Sequence, residues 1–183
     1  MIAKFLIVLL AMAIAYVTYR LAGGLRLYLK LRGKRLITCP ETKKVEAVNV
    51  AAGSVALKSL LGQPHLRLKA CSRWPEGQNC GQACLGQIEA APQDCLVSTI
   101  ISKWYEGRKC VFCGKLFRER KWHDQKPALI GADRKTVQWD EIPAERLPEV
   151  LETHRPVCWT CHIAETFRRE QPDLVSDEPR KHQ

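Results

Sequence analysis

The chain has 183 residues, nine of them cysteine, and a net charge of +10. Nine cysteines are many for an intracellular chain yet few for a disulfide miniprotein of this length, and an odd number cannot all pair within one molecule. Seven of the 29 Lys and Arg lie in residues 1–35, which hold no acid, while the remainder carries a net of only +3. The basicity therefore belongs to the N-terminus, where it fits membrane topology and argues against nucleic-acid binding.

From Phe5 to Val17 the sequence is apolar except for Tyr16, and Arg20 ends the run. Counted from Met1, with Lys4 reaching the interface, about 19 residues are available, near the lower limit for crossing roughly 30 Å of hydrocarbon. Residues 1–19 are thus expected to form a transmembrane anchor and residues 20–35 a basic juxtamembrane segment. Six basic residues follow the apolar run and Lys4 alone precedes it, which places the C-terminal body on the cytoplasmic side of the cell membrane. The rival is a cleaved signal peptide, suggested by Ala13-x-Ala15, but its apolar core would be only about eight residues long. Gly23-Gly24 allows a bend before a second amphipathic stretch, or the basic flank simply continues the helix.

Residues 36–107 form the first cysteine-rich subdomain. Arg35 to Thr38, Val45 to Val50 and Pro64 to Cys71 read as strands, and Ala51 to Leu61 as a helix stopped by Gly62. If Asn79 caps a helix, Cys80, Cys84 and Ile88 share one face. Cys39 and Cys71, each ending a strand, would complete a four-thiol site with Cys80 and Cys84. Zinc and an iron–sulfur cluster are both open for this group. Cys95 falls in the first turn of a helix opened by Pro92-Gln93-Asp94, with Leu96, Ile100 and Trp104 turned inward, and reads as a packing thiol.

Residues 108–170 are bounded by two similar motifs, Cys110-x-x-Cys113-Gly114-Lys115 and Cys158-x-x-Cys161-His162. Two residues between thiolates let one tight turn aim both sulfurs at a point about 2.3 Å away, so two such turns supply a closed tetrahedral shell. Between them, Lys115 to Arg120 reads as a strand, Pro127 to Ile130 and Thr136 to Trp139 as a hairpin, and Ala144 to His154 as an amphipathic helix. Ile163 to Glu170 is expected to close the module with Ala164 and Phe167 inward. Knuckle, hairpin, knuckle and helix together resemble the zinc-ribbon and treble-clef modules, through Cys110, Cys113, Cys158 and Cys161. That resemblance implies a structural zinc. His123, between Trp122 and Asp124, has the setting of a neighbour of the metal or of a catalytic histidine oriented by a carboxylate, and reads first as a packing residue. Residues 171–183 are charged and proline-containing, and are expected to be disordered.

The fold class expected is α+β: one N-terminal transmembrane helix, then a small cysteine-rich domain held by one or two zinc ions. No phosphate loop, nucleophile elbow or carboxylate pair stands out, so neither a catalytic residue nor a small-molecule substrate is assigned. The function expected is that of a membrane-anchored accessory or adaptor subunit, docking other proteins of a membrane complex at the cytoplasmic face. One alternative is an iron–sulfur electron-transfer subunit using Cys39, Cys71, Cys80 and Cys84. Another is a c-type monohaem protein, since Cys158-Trp159-Thr160-Cys161-His162 is also a haem attachment motif. Against haem stand the cytoplasmic placement, the twin motif at Cys110, and the position of both methionines, Met1 and Met12, within the anchor.

Overall fold

The computed structural model describes residues 2–63, 65–74, 76, 79–117 and 126–174, and divides the chain into two units, Met1–Val97 and Ser98–Gln183. Helix and sheet are mixed in both.

The first unit opens with α1 (Ile2–Leu31), a single uninterrupted helix of 30 residues. It is long and apolar enough to cross a membrane, and residues 2–19 are exposed throughout. The helix runs through Gly23-Gly24 without a break. Gly24 serves a different purpose: a Cβ there would stand 3.1 Å from Leu60 Cδ2, so the missing side chain lets α2 (Ala52–Leu60) lie against α1. Arg20 fixes the same contact by donating to the carbonyls of Ser59 and Leu60 at the C-terminal end of α2.

Strands β1 (Lys34–Thr38), β2 (Val45–Val50) and β3 (Leu68–Cys71) form an antiparallel sheet in that order, with Leu36 opposite Ala47 and Val48 opposite Cys71. Its apolar face meets α2 and α3 (Leu85–Ala90) around Ile37, Val48, Val55, Leu68 and Ile88. Arg35 lies within this unit with no exposed surface. Its guanidinium donates to the carbonyls of Lys30 and Leu31 at the end of α1, and to those of Gly33 and Pro92. A buried arginine is tolerated because its planar fork satisfies several carbonyls together, those of a helix C-terminus included. Burial lowers its pKa, an effect opposed by the Cys95 thiol.

The second unit is built on α4 (Val97–Tyr105), whose first residue closes the first unit, and on a sheet of order β5 (Thr136–Gln138), β4 (Ala128–Ile130), β6 (Arg155–Val157). A short 3-10 turn, Ala144–Arg146, leads into α5 (Leu147–Thr153), and α6 (Trp159–Glu170) follows β6 directly. Tyr105 is fully buried, donates its hydroxyl to Ala128 O at 2.6 Å and stacks against Phe117. Trp104 donates Nε1–H to Leu151 O at 3.0 Å, so consecutive aromatics tie α4 to the sheet and to α5.

Four expectations from the sequence change. The helix supposed to carry Cys80 and Cys84 on one face begins only at Leu85; Cys84 precedes it and Cys80 lies outside it. Gln82 has φ +52, a left-handed conformation that no helix passes through, and its side chain is taken up by the Leu68 N–H. Likewise α4 starts at Val97 rather than near Cys95, because the Cys95 carbonyl is drawn to the Leu36 N–H and Leu96 bridges to Arg35. Strand β3 is shorter than expected, starting at Leu68. Helix α6 starts earlier, at Trp159, and its buried residue is His162, whereas Ala164 and Phe167 face solvent. The expected strand beyond Phe117, His123 and the tail beyond Leu174 lie outside the described residues; residues 172–174 form a 3-10 turn.

Candidate metal centre

The sulfurs of Cys110, Cys113, Cys158 and Cys161 all lie within 4.8 Å of one another. Cys113 Sγ stands 3.7 Å from Cys158 Sγ; the edge of a tetrahedron with bonds of about 2.3 Å is about 3.8 Å. Cys110 and Cys158 are buried, Cys161 is half-buried and Cys113 is exposed.

Local rules build the first turn. The N–H of Cys110 donates to Lys115 O and the N–H of Gly114 returns to Cys110 O, both at 2.9 Å. Gly114 adopts φ +68, which glycine reaches without a Cβ clash. Lys109 and Leu116 bridge across the base of the turn. The second pair is held differently. Cys158 is the N-cap of α6, extended at ψ 157, and its carbonyl takes the His162 N–H at 2.9 Å, which leaves Cys161 in the first helical turn. Thiolates at a helix N-terminus are favoured by the dipole and by free N–H groups.

The halves are joined by backbone. Val111 N–H donates to Pro156 O at 3.1 Å, so the turn attaches to the outer edge of β6, where the missing N–H of Pro156 costs no sheet hydrogen bond. Cys158 N–H donates to Cys110 Sγ at 3.3 Å. Behind the site, His162 Nδ1 lies 2.9 Å from Thr136 Oγ1, and both groups are buried. Burial lowers the His162 pKa. This histidine therefore fastens α6 to β5; its position in the sequence beside Cys161 suggested a ligand or haem role, and nothing in the spacing indicated Thr136.

Burial pushes the Cys110 thiol up, but the N–H groups of Cys113, Cys158 and Phe112 outweigh it and bring the pKa down to about 7. Cys158 and Cys161 move the opposite way: burial raises both, with the neighbouring sulfurs adding to the rise at Cys161 and Cys161 partly opposing it at Cys158. Four thiols this close ionise together only around a cation, so the geometry can bind one metal ion.

Cys39, Cys71, Cys80 and Cys84 all fall in the first unit, and among the described residues only the Cys110 quartet gathers its ligand atoms this tightly. Cys84 is part of the core, with Cys71 and Cys95 packed against it. The Cys95 thiol contacts Ala91 O at 3.3 Å, consistent with a packing role. No family model, curated protein or solved structure matches the chain.

Proposed function

We propose that this protein is a membrane-anchored, zinc-binding accessory subunit whose body docks partner proteins at the cytoplasmic membrane face. The carrying observation is the four-sulfur cluster, with its 3.7 Å Cys113–Cys158 separation. Four protein ligands leave no open position for water or substrate, which is the mark of a structural ion rather than a catalytic one. All-thiolate coordination in a tetrahedron favours zinc among the common divalent ions. Cys158 and Cys161 converge on the same point as Cys110 and Cys113, and this supports a shared ion over thioether links to a haem.

Anchoring rests on α1, whose apolar residues 2–19 are exposed and whose end is basic. Docking rests on apolar side chains that the second unit leaves exposed: Val111 and Phe112 on the metal turn, and Ile163 and Phe167 one helical turn apart on α6. The test is metal analysis of the full chain purified in detergent, before and after replacing Cys113 by Ser. Cys113 is the exposed ligand, so its loss removes a metal bond with little effect on packing. Loss of one zinc equivalent supports the reading; unchanged zinc, or covalently bound haem, rejects it.

A further inference from the structure

The turn at Cys39 repeats the metal turn at Cys110, bond for bond. Cys39 N–H donates to Lys44 O at 2.8 Å, as Cys110 N–H does to Lys115 O at 2.9 Å. Lys43 N–H returns to Cys39 O at 2.8 Å, as Gly114 N–H does to Cys110 O at 2.9 Å. The residue at that fourth position is left-handed in both, Lys43 at φ +59 and Gly114 at φ +68. A lysine adopts this conformation far less readily than glycine, so the turn is imposed by its bonds rather than by residue preference. Thr42 occupies the place that Cys113 holds in the other turn, so the Cys39 knuckle has one thiol where the Cys110 knuckle has two.

A further ligand comes from the same end of the sheet. Cys71 ends β3 opposite Val48, and Ser72 N–H then donates to Ala47 O at 2.8 Å, so the chain continues along β2 toward the Cys39 turn. It arrives at Arg73, whose Nη1 lies 3.6 Å from Cys39 Sγ while pairing with Glu41. Cys84 is buried in the core against which Cys71 and Trp74 pack. Cys71 and Cys84 each lie within electrostatic reach of Cys80 and Cys39. Trp74 buries its indole N–H with no hydrogen-bond partner among the described residues.

We infer that Cys39, Cys71, Cys80 and Cys84 form a second tetrathiolate centre, in the first unit, which takes a single zinc ion. The sulfurs are not gathered as tightly as in the Cys110 quartet, so binding one ion draws them closer together. Four thiolates around one zinc leave a net double negative charge, and Arg73 stands at the sulfur to offset part of it. This centre is independent of the Cys110 quartet, and either one can fail without the other.

Metal and labile sulfide are measured on the full chain in detergent, for the native sequence and for Cys39→Ser, Cys80→Ser and Cys95→Ser. Two zinc equivalents are expected in the native chain and in Cys95→Ser, and one in each of the other two. Because Cys39→Ser and Cys80→Ser are open to misfolding, alkylation of the native chain is followed by peptide mass spectrometry with and without a chelator. Cys39, Cys71, Cys80 and Cys84 should gain reactivity together on chelation, and Cys95 should not. One zinc equivalent in the native chain, lost on Cys113→Ser, overturns the second centre and leaves the first standing. Iron with labile sulfide overturns the single zinc ion in favour of a cluster, and independent alkylation of the four thiols overturns the centre altogether.

Discussion

The backbone N–H of Cys158 donates to the Cys110 sulfur at 3.3 Å, so the residue that begins one half of the four-sulfur cluster supports a sulfur in the other. The two are 48 positions apart. The residues between them carry β4, β5 and α5, and β6 at their end brings Cys158 back beside the first turn. That explains how a linker of 44 residues between Cys113 and Cys158 is compatible with a compact four-sulfur site.

Removal of the ion is expected to loosen the second unit. Structural zinc in small modules contributes on the order of 10 kcal/mol to folding. Chelation should therefore raise amide exchange in residues 108–117 and 155–165 far more than in α1. Hydrogen exchange with mass spectrometry measures this; equal protection with and without the ion would mean that it holds nothing together.

Thr136→Val should cost about 1–3 kcal/mol, because the buried His162 Nδ1 loses its partner and cannot turn to water. The metal should remain bound, since Thr136 is not a ligand. A lower melting temperature at unchanged zinc content is the expected pair of results. Loss of zinc would show that the contact also aligns Cys161.

Arg35→Met removes the group that satisfies the Lys30, Leu31, Gly33 and Pro92 carbonyls. A buried charged hydrogen-bond network broken at one member costs about 3 kcal/mol. Arg35→Lys should rescue little of it, because an ammonium cannot match the fork. Denaturant melts of the full chain in detergent compare the three; a near-native Arg35→Lys would contradict the account of that contact.

The paired glycines of α1 should separate cleanly. A Cβ at Gly23 meets nothing within 4 Å, so Gly23→Ala should be neutral or stabilise the helix by up to about 1 kcal/mol. Gly24→Leu forces a side chain into Leu60 of α2 and should cost about 1–3 kcal/mol. Equal effects at both positions would contradict close packing of α2 on α1.

A reporter fused after Gln183 should be active only on the cytoplasmic side, given the basic residues that follow the apolar part of α1. Activity on the opposite side would reverse the proposed orientation and expose the thiols to oxidation.

Much of this was legible in the sequence where one local rule decides the outcome. The turn Cys39-Pro40-Glu41-Thr42-Lys43 set off β1 and β2, Gly62 marked the end of α2, and the turn residues 131–135 marked the β4–β5 hairpin. The spacing of Cys110, Cys113, Cys158 and Cys161 named the site because two residues between thiols leave few geometries. The errors arose where a distant partner decided. Helical periodicity placed Cys80 and Cys84 on one face, but Gln82 is left-handed and its side chain serves Leu68. Helix α6 was read from its apolar residues, Ala164 and Phe167, whereas its register follows Cys158 at the N-cap and His162 against Thr136. The likeness of the Cys39 and Cys110 turns was hidden because Thr42 and Lys43 stand where the other has Cys113 and Gly114.

X-ray absorption at the zinc edge tests the central claim most directly, using the full chain with Cys39 and Cys80 replaced by Ser so that only the Cys110 quartet contributes. The account predicts one zinc with four sulfur neighbours at about 2.3 Å and no shell of nitrogen or oxygen. A zinc bound through nitrogen or oxygen, or a chain that retains no zinc while its second unit stays folded, would contradict it.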